Sequence, residues 1–80
     1  MTEAEARAAL RNWVAARNPD VDPAELTDDT PLIERRYLTS LQVADLMVFI
    51  ESLRQAPLDP TALRPGVFRS IDAIHGAFFP

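Results

Sequence analysis

The apolar positions of the chain fall into three helical stretches separated by two proline-bearing connections. In the first stretch Ala6, Leu10, Trp13, Val14 and Arg17 share one face at helical spacing, and Asn18-Pro19 ends the pattern. Thr2 followed by Glu5 has capping-box spacing, so a helix is predicted over about residues 3 to 17. From Pro19 to Leu38 the chain carries prolines and many Asp and Thr residues, which predicts a long connection rather than a second regular element. Val21, Leu26, Leu32 and Ile33 are the candidates to pin it to the core. A loop of this length in a small domain is usually functional or packed on the body.

The second helix is predicted to begin at Thr39 or Ser40, with Thr39 and Gln42 forming another capping box, and to run to about Gln55, where Pro57 stops it. Asp59-Pro60 predicts one short turn over residues 60 to 64. Ser70 is a good N-cap for a last helix, with Asp72 in its first turn and Ile71, Ile74 and Phe78 on its inner face. No convincing strand pattern appears, although Gly66-Val67-Phe68 leaves room for a bridge. The expected fold is all-α: a small four-helix bundle of three main helices, one short helix and a long first loop, forming a single domain over residues 1–80.

The second helix carries more apolar residues than one buried stripe needs. Residues placed about 100° apart around its axis put Val43, Leu46, Met47, Phe49, Ile50 and Leu53 in one broad sector, the core side. The opposite sector holds Leu41, Ala44 and Val48, flanked by Asp45, Glu51 and Ser52. An apolar stripe rimmed with carboxylates has the character of a docking surface, and Ser40 stands at its end.

Composition narrows the partners. The chain has 80 residues, 48% hydrophobic and 25% charged, a globular composition with little stability to spare. Cysteine is absent, so neither a disulfide nor a thiolate metal site holds the fold, and thiol chemistry needs a sulfur brought from elsewhere. The net charge is −4, and Asp20, Asp22, Glu25, Asp28, Asp29 and Glu34 follow one another with no basic residue among them. Such a run would repel a phosphate backbone, which argues against nucleic acid and for a basic protein surface. Neither a signal peptide nor a membrane span is predicted, so the expected setting is cytoplasmic. The one histidine, His75, neighbours Ile71, Ile74 and Phe78, which predicts a surface or packing role rather than catalysis with Ser40. Asp28 and Asp29 lack the ligand spacing of a calcium loop.

Three segments resemble a known family: "TDDTPLIE" in the loop, "TSLQVADLMVFIE" at the second helix and "LRPGVFRSIDAI" before the last. Together they cover about residues 27 to 79 and are similar to the acyl and peptidyl carrier proteins that bear a 4′-phosphopantetheine arm. The family typically reads Asp-Ser-Leu at the attachment point, with acidic residues five and near eleven positions after the serine. Ser40, Leu41, Asp45 and Glu51 occupy those places here. Thr39 stands where the family has the aspartate, and Tyr37 where it commonly has a glycine.

The resemblance implies that Ser40 Oγ carries the arm, whose thiol would hold cargo as a thioester. It also implies that Leu41, Ala44, Asp45, Val48 and Glu51 meet partner enzymes. Those partners would be a phosphopantetheinyl transferase, an acyl or aminoacyl loading ligase and downstream biosynthetic enzymes. On this reading the chain is a discrete, monomeric carrier of a specialised pathway, such as polyketide or nonribosomal peptide assembly, and not an enzyme. The bulk of Trp13, Phe49, Phe68 and Phe78 in the interior predicts small or polar cargo held in solvent. The competing class is an adaptor without a prosthetic group, in which the Leu41/Ala44/Val48 face binds a partner helix and Ser40 is only structural.

Overall fold

The computed structural model describes residues 1–79. Its order is α1 (Glu3–Ala16), a 3₁₀ turn at Pro23–Glu25, α2 (Ser40–Arg54), a 3₁₀ turn at Pro60–Ala62 and α3 (Ile71–Phe78), with no strand among the described residues. The predicted short fourth helix is therefore only a three-residue turn, capped by Asp59, whose carboxylate accepts the Thr61 N–H at 2.9 Å.

α1 starts where its capping box requires. The Thr2 hydroxyl accepts the Glu5 N–H at 3.1 Å and the Glu5 carboxylate accepts the Thr2 N–H at 3.2 Å, satisfying two donors that a helix start leaves free. Ala6, Leu10, Trp13 and Val14 are buried along its inner face. On α2, Leu46 and Ile50 are fully buried, with Val43, Met47, Phe49 and Leu53 partly so, which is the core sector expected from the sequence. α3, capped by the Ser70 hydroxyl on the Ala73 N–H at 3.1 Å, packs on α1 and buries Ile71, Ile74, His75 and Phe78.

Trp13 stacks on Phe49 with ring centroids 6.1 Å apart, while Phe68 packs on Phe78 at 5.9 Å. All four rings belong to one continuous core or lie against it.

The long first connection is packed and internally bonded. Leu26, Leu32 and Leu38 are buried, whereas Ile33 is 51% exposed and does not anchor it. The reason is local: residues 31–36 form one helical turn, and adjacent positions on a helix face directions about 100° apart, so burying Leu32 turns Ile33 outward. That turn ends with Arg36 at φ 61°; the Tyr37 N–H donates to Leu32 O at 2.8 Å and the Arg36 N–H to Ile33 O at 3.0 Å, the bonding of a left-handed helix cap. Two further backbone bonds stitch the connection to the start of α3, from Leu32 N–H to Arg69 O at 2.8 Å and from Asp72 N–H to Asp28 O at 2.9 Å. Buried backbone groups need partners, and here the loop and the segment before α3 supply them to each other.

Candidate functional site

α2 opens on Ser40, and Thr39 fixes how that serine is presented. The Thr39 hydroxyl accepts the Gln42 N–H at 3.4 Å, and the Gln42 side chain accepts the Thr39 N–H at 3.0 Å. The cap is thus complete without Ser40, which is exposed at the first helical position. A helix start carries partial positive charge from its unbonded N–H groups, so an anionic group attached to this hydroxyl would be favoured there by about 0.3–1 kcal/mol.

Below Ser40 runs the stripe read from the sequence. Leu41 is 87% exposed and Val48 66%, and Ala44, Asp45 and Ser52 are exposed beside them. Glu51 is partly buried, and its Oε2 accepts the Leu58 N–H at 3.0 Å, so one of its oxygens also fixes the chain after α2.

His75 takes no part in this site. It is 6% exposed, stacked on Phe79 with centroids 5.7 Å apart, and lines a cleft of 550 Å³ together with Leu53 and Arg54. Leu53 lies about 20 Å from Ser40 along α2 at the helical rise, so the two ends of the helix keep Ser40 and His75 apart. His75 is a packing residue.

The acidic loop is occupied by arginine. Arg7 Nη1 donates to Asp28 Oδ2 at 2.9 Å and also to Asp72 Oδ1, and Arg11 Nη1 donates to Asp28 Oδ1 at 2.5 Å. Burial pushes the Asp28 carboxyl up, but the hydrogen bonds and charges of Arg11 and Arg7 outweigh it and hold the carboxyl below its ordinary value. Asp29 accepts the Thr27 hydroxyl. Among the described residues no group of three or more His, Cys, Asp or Glu side chains could hold a metal.

A second charged feature joins residues that are far apart in sequence. Asn18 donates its side-chain amide to Val14 O at 2.7 Å and to Tyr37 O at 2.8 Å, tying the end of α1 to the turn before α2. This brings Arg17 to the same groove as Arg35 and Arg36. The adjacency of Arg35, Arg36 and Tyr37 to Ser40 is visible in the sequence; the arrival of Arg17 is not, because it depends on one asparagine side chain.

No family model, curated protein or solved structure matches the chain. Among the described residues no helix is long and apolar enough to cross a membrane.

Proposed function

We propose that the chain is a carrier protein whose Ser40 receives a 4′-phosphopantetheine arm from coenzyme A. The observation that carries this reading is that Ser40 is exposed and free of the capping role, at the head of an exposed apolar stripe flanked by Asp45 and Glu51. In the attachment step the Ser40 oxygen attacks the phosphorus bearing the pantetheine, the hydroxyl proton leaves, and the bond to the departing 3′,5′-ADP breaks as the new phosphodiester forms. The arm supplies a thiol that holds an acyl or aminoacyl group as a thioester, chemistry that a chain without cysteine lacks.

The chain's own residues present and steer. The capping box fixes the direction of Ser40, and Leu41, Ala44 and Val48 give the transferase, loading ligase and downstream enzymes an apolar contact. The flanking carboxylates orient basic partner surfaces, an effect felt more in encounter rate than in affinity. The same exposed stripe also favours a second reading, an adaptor that binds a partner helix with no prosthetic group.

Intact-protein mass after incubation with coenzyme A and a broad-specificity transferase separates the two. The carrier reading expects the parent to gain one phosphopantetheine and Ser40→Ala none, with both giving the same circular dichroism spectrum. An unmodified parent, folded and exposed to several transferases, would leave the adaptor reading.

A further inference from the structure

Three arginines converge at one edge of this acidic chain without being neutralised. Arg17, Arg35 and Arg36, with Asn18, Asp20 and Tyr37, line a groove of 380 Å³. Among the described residues none of the three forms an ion pair, whereas Arg7 and Arg11 are both held by aspartates. Three arginines and one acidic residue, Asp20, make the lining residues net positive in a chain of net charge −4.

Arg17 is held in place by contacts within the chain itself. The Arg17 guanidinium lies 3.5 Å from the centre of the Trp13 ring, and its Nη1 donates to Trp13 O at 3.2 Å, so its position is set before any ligand arrives. Arg36 occupies a left-handed conformation, which crowds the Cβ that every residue but glycine carries. Glycine would suit that turn better; an arginine there adds a charge the turn does not use.

We infer that this groove binds an anionic group, a carboxylate or phosphate, on the cargo carried at Ser40. The inference rests on the carrier reading. Tyr37 is three residues before Ser40, so their Cα atoms are at most about 11 Å apart. An arm folded back along the surface would bring the end of a short acyl chain to the groove beside its attachment point. Guanidinium forks bind carboxylate and phosphate through paired hydrogen bonds that a neutral acyl end cannot form. The carrier would therefore retain dicarboxylic or phosphorylated acyl groups against its surface and leave neutral ones in solvent.

The test has two arms. In the first, the unmodified chain is titrated with succinate and with inorganic phosphate at low ionic strength and followed by amide and guanidinium NMR. Saturable shifts at Asn18, Arg36 and Tyr37 are expected, weakened at least tenfold in Arg35→Gln/Arg36→Gln, a variant that leaves the Arg17 contact with Trp13 intact. Linear shifts of equal size in parent and variant would overturn the groove. In the second arm, a transferase loads the chain from succinyl-coenzyme A or butyryl-coenzyme A. The succinyl form is expected to shift the same three residues and the butyryl form to leave them unmoved. Saturable binding of the free anions combined with identical spectra for the two loaded forms would overturn the cargo assignment and leave a site for a free anion or an acidic partner. A chain that cannot be loaded would remove the carrier reading and the cargo assignment with it, while the first arm still decides the groove.

Discussion

Arg7 and Arg36 belong to the same acidic chain, yet the structure treats them in opposite ways. Arg7 lies partly exposed on the α1/α3 side, where it joins Asp28 of the loop to Asp72 at the head of α3. Arg36 closes an exposed turn beside Ser40 and has no ion-pair partner among the described residues. The apolar residues divide along the same line. Leu10, Leu32 and Ile74 are fully buried on the α1/α3 side, whereas Leu41 and Val48 stand in solvent on the outer face of α2. One side pairs its charges and buries its leucines, and the other leaves them available. A small domain with little stability in reserve does not gain stability from exposed apolar groups, so their use is to be sought in what they meet.

The sharpest way to break this contrast lies within one helix. Leu46 and Leu41 are both leucines of α2, the first fully buried and the second 87% exposed. Leu46→Ala is expected to cost about 2–5 kcal/mol, enough to threaten folding of a domain this small. Leu41→Ala should stay within about 0.5 kcal/mol. Urea unfolding of the two variants measures the difference directly; comparable losses would mean that the outer stripe is part of the core.

A smaller effect tests the charged cluster. Asp28→Asn keeps the shape but removes the charge that Arg7 and Arg11 face, at an expected cost of about 1 kcal/mol for this partly exposed site. The pH dependence has a definite sign. The folded carboxyl lies below its ordinary value of 3.8, so its contribution is present above that value and is lost as pH falls through the folded one. Unfolding free energy should hold level down to about pH 5 and fall below about pH 4, less steeply in the asparagine variant. A remainder will persist in both, because the Asp59 carboxyl is also held low, by the Thr61 N–H. Identical acid profiles in parent and variant would show that the cluster does not couple the loop to the helices.

Much of the fold was legible because its signals are local. Both capping boxes, the Ser70 cap and the two faces of α2 depend on residues within a turn or two of each other, and the structure forms each where spacing places it. Ile33 misled because a hydrophobic residue in a loop says nothing of its direction until the helical turn over residues 31–36 is known. The Arg7/Asp28/Asp72 cluster was illegible for another reason: its members are separated by long stretches of sequence, and only the packing of the loop against α1 and α3 brings them together. The site divides similarly. Ser40 and its stripe lie on one helix and could be read from it, while the basic groove needs the link from Asn18 to Tyr37.

The smallest effect separates backbone from charge at the two ordinary residues held in the left-handed region, Arg36 at φ 61° and Gln55 at φ 55°. Each caps a helical turn where glycine is the usual solution. Glycine relieves the Cβ crowding but widens the freedom of the unfolded chain, so the net gain from either Arg36→Gly or Gln55→Gly is expected to be about 0.5 kcal/mol. Thermal unfolding of the two variants should show small upward shifts of equal size, and only Arg36→Gly should weaken anion binding at the groove. Equal shifts would mean that the fold has no use for the arginine side chain, and weaker binding in Arg36→Gly alone would assign its charge to a ligand. A loss of stability confined to Arg36→Gly would make the guanidinium part of the turn's own structure, and the basic groove would then belong with the side of the molecule whose charges are paired.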